Sequence, residues 1–90
     1  MTHSNSLLLP DGGRLNFRID GAEGAPWVVV SNSLLTDLSI WDAQIAPLTK
    51  RFRVLRYDQR GHGGSSLPKG PMSFADYGND LNLLLADQAI

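Results

Sequence analysis

The sequence predicts an α/β fold in the order β-β-β-α-β-α, an antiparallel hairpin followed by parallel strands. Three observations carry this. Residues 14–20 alternate apolar and polar side chains behind a glycine-containing turn, and two short apolar runs, 27–30 and 52–57, come later. Each of those runs is succeeded by apolar residues at helical spacing. Strands that alternate with helices after an initial hairpin imply a sheet that is parallel in its later part.

The elements follow in order. Residues 6–9 are mostly apolar and are stopped by Pro10-Asp11-Gly12-Gly13. Leu15, Phe17 and Ile19 then share one face of a strand while Arg14, Asn16, Arg18 and Asp20 share the other, the pattern of a half-solvated hairpin strand. After a loop at 21–26, Trp27-Val28-Val29-Val30 shows no alternation, which suits a strand covered on both faces. Residues 31–39 read as a polar loop. Trp41, Ile45 and Leu48 mark a helix over 40–50 that Pro47 kinks or ends early. The next strand, 52–57, has Arg53 and Arg56 among its apolar residues, and a glycine-rich loop runs from 58 to 71. Ser73 with Asp76 three residues on forms a capping-box pattern, and Phe74, Tyr77, Leu81, Leu84 and Leu85 make an apolar stripe behind it. Trp41 and Phe74 read as core anchors on the inner faces of their helices.

Ninety residues, 42 % apolar and 19 % charged, describe one small globular domain or part of a larger one. The net charge of -1 gives no electrostatic reason to expect nucleic acid or an anionic membrane as partner. The chain has no cysteine, which removes disulfides, thiolate nucleophiles and Cys-based metal sites together. Two distant histidines without paired carboxylates, His3 in the tail and His62, argue against any other metal site. The apolar run Leu7-Leu8-Leu9 is too short for a signal peptide or a membrane span, so the expected location is cytoplasmic.

The most informative stretch is Tyr57-Asp58-Gln59-Arg60-Gly61-His62-Gly63-Gly64-Ser65. Gly61, Gly63 and Gly64 let the backbone reverse tightly at a strand end, and the fork of donors on Arg60 can hold loop carbonyls or a carboxylate. Gly61-His62-Gly63 also opens a dinucleotide-binding pattern. That reading fails, because Ser66 stands in the last position and the next helix begins near Ser73, too far away to meet a pyrophosphate. Arg56, Asp58 and Arg60 read as a structural network at the strand end. His62 reads as a loop-packing residue rather than a base.

Asp58-x-Arg60-Gly61-His62-Gly63-x-Ser65 is similar to the D-x-R-G-x-G-x-S loop after the fourth strand of α/β-hydrolases. Residues 31–42, Ser-Asn-Ser-Leu-Leu-Thr-Asp-Leu-Ser-Ile-Trp-Asp, resemble the loop after the third strand in the 3-oxoadipate enol-lactonases, and residues 51–58 fit the same group. Two departures stand out. Leu35 occupies a position that is usually glycine, where a side chain would crowd the loop. The ending Ala86-Asp87-Gln88-Ala89-Ile90 lacks the glycine expected to cap the last helix.

The resemblance implies the N-terminal half of an α/β-hydrolase fold, and a serine hydrolase that opens a small-molecule lactone in the β-ketoadipate route of aromatic degradation. It implies no cofactor. A triad of Ser, Asp and His, with its nucleophile in a G-x-S-x-G elbow, would do the chemistry. The nearest approach, Gly63-Gly64-Ser65-Ser66-Leu67, lacks the closing glycine. The expectation is therefore that residues 1–90 form a partial domain, inactive alone, with nucleophile, acid and base beyond residue 90. The oxyanion-hole N–H carried over to this chain is that of Leu34, with Ser33 as neighbour; against it stands the reading that Ser31, Asn32 and Ser33 merely satisfy loop backbone. Asp58, Arg60, Gly61, Gly63 and Ser65 are the expected structural loop. The superfamily strand order 1-2-4-3-5 would leave Trp27–Val30 as an open edge, so self-association or a C-terminal complement is expected there. Two alternatives stay open: another α/β-hydrolase, such as an esterase or a haloperoxidase-like enzyme, and a non-catalytic α/β interaction module.

Overall fold

The computed structural model describes residues 5–32 and 35–90. Four strands, β1 (Asn5–Leu8), β2 (Arg14–Asp20), β3 (Trp27–Val30) and β4 (Arg53–Tyr57), form one sheet in the order β1-β2-β4-β3. The first two pairings are antiparallel, and β3 runs parallel to β4 with Val28 opposite Val54 and Val30 opposite Arg56. Among the described residues β3 pairs with β4 alone, so it is a sheet edge.

The hairpin closes where glycine and proline stand. Leu9 N–H donates to the Gly13 carbonyl at 2.7 Å, and Gly12 N–H donates back to Leu9 at 2.9 Å. Leu9 thus heads the turn rather than ending the strand, and it is buried there. β2 and β3 have the bounds that their side-chain patterns predict, while β4 begins at Arg53, one residue later than expected.

The pleat sorts β2 and β4 into two faces. Leu15, Phe17, Leu55 and Tyr57 face one way and pack with Leu9 and with Leu84 of α2 (Phe74–Asp87); Leu81, Trp27 and Val29 lie around them. The other face carries Asp20, Val54, Arg56 and Asp58, and it is covered by a 3-10 turn (Leu38–Trp41) that leads into α1 (Asp42–Leu48). The helix expected over 40–50 is therefore two shorter pieces. Pro47 sits in the last turn of α1, which ends one residue later.

Phe74 is not a core anchor. It is 96 % exposed, in the first turn of α2 directly after the Ser73 cap. Helical periodicity fixes the direction of a side chain around the axis, not how far the helix runs past the sheet. α2 docks by its second half, through Leu81 and Leu84. The capping box forms in full, with Ser73 N–H donating to Asp76 Oδ2 at 2.9 Å and Asp76 N–H to Ser73 Oγ at 3.2 Å.

At its other end α2 stops without glycine. Ile90 N–H reaches the Leu85 carbonyl and Ala89 N–H the Ala86 carbonyl, the paired bonds of a Schellman stop, with Ala89 left-handed at φ +56°. A Cβ in that region is disfavoured, so Ala89→Gly should stabilise the protein by about 1 kcal/mol in a urea melt.

Candidate functional site

Because β3 and β4 are parallel, the loops that leave them start at the same end of the sheet. Side chains join these loops. Asn32, buried, donates from Nδ2 to the Tyr57 carbonyl at 3.0 Å and more weakly to Asp58 Oδ1 at 3.4 Å. Its Oδ1 accepts from the Trp41 indole at 2.9 Å, and the same N–H reaches the Ser31 carbonyl at 3.1 Å. Trp41 is half-buried and pins the loop as much as it fills space. Gln59 Nε2 donates to Ser31 Oγ at 3.1 Å.

Asp58 is the centre of this end of the sheet. Its carboxylate is 1 % exposed and accepts from Leu38 N–H at 2.7 Å, Asn16 Nδ2 at 2.8 Å and Gly64 N–H at 2.9 Å, besides Asn32. One side chain thus holds β2, the 3-10 turn, the loop after β3 and the glycine loop. Gly63 is left-handed, and a Cβ there would overlap the carboxylate of Asp58. Gly61 is left-handed as expected, whereas Gly64 is not; its missing side chain makes room for Asn16, which a Cβ would meet at 3.0 Å.

Ser65 and Ser66 continue the sheet where β4 has ended. Ser65 Oγ donates to the Asp58 carbonyl at 2.6 Å and accepts from Asn16 N–H at 2.8 Å. Ser66 N–H donates to the Arg14 carbonyl at 3.0 Å, and its hydroxyl accepts from Arg14 N–H at 2.7 Å. Both hydroxyls are committed to main chain, which is structural work and not the state of a nucleophile.

The expected network of Arg56, Asp58 and Arg60 does not form as one. Arg56 and Asp58 meet through Leu38, whose carbonyl accepts from Arg56 Nη1 at 3.2 Å and whose N–H donates to Asp58, while Arg60 faces other partners. Arg60 grips Asp80 of α2 with two donors, at 2.8 and 3.0 Å, and pairs with Asp11 of the hairpin turn through its remaining terminal nitrogen. Arg56 bonds Asp20 at 3.2 Å and Asp42 at 2.6 Å, tying β2 to the start of α1. Asp11 and Asp80 were not singled out from the sequence. Asp80 left a signal, since it lies three residues after Tyr77 on the apolar stripe, where a charge needs a partner.

The Arg60 hydrogen bond, then the Gly13 N–H, holds Asp11 below the ordinary carboxylate value of 3.8. The Ser39 hydroxyl, then the Ser39 N–H, does the same for Asp37, the cap of the 3-10 turn. Asp11 in turn, ahead of Asp80, raises Arg60 against the opposing effect of burial. Both carboxylates are more acidic folded than unfolded, so on acidification the unfolded chain takes up protons first. Their contribution is complete above the unfolded value of 3.8 and is lost as pH falls through the lowered folded values. Urea midpoints should hold steady to about pH 5 and drop below it, with a shallower acid limb in Asp11→Asn/Asp37→Asn. The effect is small, since both groups are solvent-screened.

Between the two loops lies an open depression of about 200 Å³, lined by Leu35, Thr36, Asp37, Gly61, His62 and Gly63. His62 Nδ1 lies 3.1 Å from the Arg60 carbonyl; a carbonyl only accepts, so Nδ1 carries the proton. Leu35 does not crowd its loop. Its side chain is 90 % exposed, and the cost falls on the backbone instead, at φ +62°. Ser33 and Leu34 lie outside the described residues. No described helix is long and apolar enough to cross a membrane.

Residues 26–88 match the α/β-hydrolase fold family. The chain belongs to that family. Among curated relatives, this α/β-hydrolase chain is 40 % identical to 3-oxoadipate enol-lactonase 2 of Acinetobacter baylyi over 92 % of its own length, and 45 % identical to enol-lactonase 1 of that organism over 72 %. Among solved structures it is similar to a hydrolase from Pseudomonas aeruginosa, with TM-score 0.94 and 46 % identity over 98 % of the chain. It is also similar to the enol-lactonase from Burkholderia xenovorans, with TM-score 0.90 and 48 % identity over 96 % of the chain. It spans 31 % and 24 % of the two curated relatives, and 33 % and 34 % of the two solved chains.

Proposed function

We propose that residues 1–90 are the N-terminal part of a cytoplasmic 3-oxoadipate enol-lactonase of the β-ketoadipate route. The observation that carries this reading is the joining of the 31–37 and 58–66 loops at one end of the parallel strands, by Asn32 and Asp58, in a chain 40–45 % identical to two such enzymes. A serine beyond residue 90 attacks the lactone carbonyl, a histidine takes its proton and an aspartate orients the histidine. This chain supplies the backbone N–H of Leu34, or of its neighbour Ser33, to the oxyanion. Such a donor contributes about 3 kcal/mol to transition-state stabilisation.

Asp58, Arg60, Gly61, Gly63 and Ser65 do no chemistry in this scheme. They fix the wall against which Asn32 and Leu38 are set. No cofactor enters, since acyl transfer to water needs only the triad and the oxyanion donors. A further strand of the longer polypeptide covers the edge of β3, and the 90-residue chain alone is inactive and self-associates there.

The test is the full-length protein. It should open the enol-lactone, seen as loss of lactone absorbance, and replacing the serine of its G-x-S-x-G elbow with alanine should abolish turnover. A downstream sequence without that elbow contradicts the reading. A second reading, another α/β-hydrolase, is favoured by 31 % identity to epoxide hydrolase A of Mycobacterium thermoresistibile over 97 % of the chain; turnover of simple esters or epoxides without lactone opening would select it.

A further inference from the structure

Leu35 combines two features that packing among the described residues does not explain. Its backbone lies in the left-handed region at φ +62°, which glycine enters freely and leucine does not. Its side chain is 90 % exposed, so no packing among the described residues offsets that conformation. The described anchors on either side of Leu35 hold the chain without any contact from its side chain. Asn32 is tied to β4 and Asp58 on one side, and on the other Leu38 N–H is bonded to Asp58. Glycine would serve the loop better.

The side chain stands at the depression between the two loops. Thr36, Asp37, Gly61, His62 and Gly63 line the rest of it, so Leu35 is the aliphatic group among these described residues. Strain held at a site, with an apolar group bared beside polar ones, is the arrangement expected where a side chain meets a ligand.

We propose that Leu35 is a specificity-determining residue whose isobutyl group packs on the carbon skeleton of an acyl or lactone substrate seated in this depression. The proposal rests on the hydrolase reading above and names the part of the substrate that this chain recognises. Loss of a few apolar contacts should change discrimination by about tenfold.

The full-length protein is assayed as wild type, Leu35→Gly, Leu35→Asn and Leu35→Met, with p-nitrophenyl acetate, p-nitrophenyl butyrate and the enol-lactone. Glycine and asparagine both tolerate the left-handed backbone, so they keep the loop shape and remove only the apolar group. Their thermal midpoints should equal or exceed wild type. Their KM for butyrate and lactone should rise about tenfold, with KM for acetate and every kcat within about threefold of wild type, and methionine should restore the wild-type KM. Unchanged butyrate KM in both variants overturns the proposal. A wild type that cleaves the esters and not the lactone contradicts the lactone reading alone, and the butyrate-to-acetate comparison still decides Leu35. A wild type that cleaves none of the three contradicts both.

Discussion

Asp58→Ala is expected to destabilise the protein by about 4 kcal/mol or more, enough to leave it largely unfolded at room temperature. The carboxylate accepts from Leu38 N–H, Gly64 N–H and Asn16 Nδ2 in a buried setting, with Asn32 Nδ2 beside it. Removing it strands three close donors at once, and each buried unsatisfied donor costs about 1–3 kcal/mol. Asp58→Asn should be nearly as damaging, since an amide turns N–H toward groups that are themselves donors. Gly63→Ala reaches the same centre from outside, forcing a Cβ into the Asp58 carboxylate. Urea denaturation with circular dichroism measures all three. A loss below about 1 kcal/mol for Asp58→Ala would mean that water replaces the carboxylate and that the hub is not structural.

Arg60→Ala should cost about 3–5 kcal/mol. The Arg60 and Asp80 side chains are each only 9 % exposed, so truncation abandons a buried carboxylate on the inner face of α2. The Asp11 contact adds little, because that carboxylate is 47 % exposed and screened. Arg60→Lys should recover only part of the loss, since one ammonium cannot reproduce the two-pronged grip at 2.8 and 3.0 Å. The double change Arg60→Met/Asp80→Leu removes both charges and should lie within about 1–2 kcal/mol of wild type. A double variant as unstable as Arg60→Ala would show that the arginine acts through its stem packing instead.

The strands were legible because a pleat writes itself into sequence. The alternation in β2 and the unbroken Trp27-Val28-Val29-Val30 of β3 fixed both elements to the residue. The glycine loop was legible as a motif. What it bonds was not, since the partners of Asp58 stand 42, 20 and 6 residues away and only the folded chain brings them together.

Phe74 was misread because period carries no information about how much of a helix overlies the sheet. The element expected over 40–50 starts earlier than the apolar spacing suggests, because Asp37 caps a 3-10 turn there by accepting from Ser39 N–H, and α1 follows from Asp42. At Leu35 and Ala89 the absence of glycine was visible. Its consequence was not a clash or a frayed end but a left-handed backbone carrying a Cβ.

The central claim is that the loop after β3 forms part of an oxyanion hole whose remaining machinery lies on chain beyond residue 90. A crystal structure of the full-length protein with a phosphonate trapped on the elbow serine tests this most directly. The backbone nitrogen of Leu34, or of Ser33, should lie about 2.7–3.1 Å from the anionic oxygen. A phosphonate oxygen held by other groups, with the 31–36 segment turned away from it, would contradict the claim.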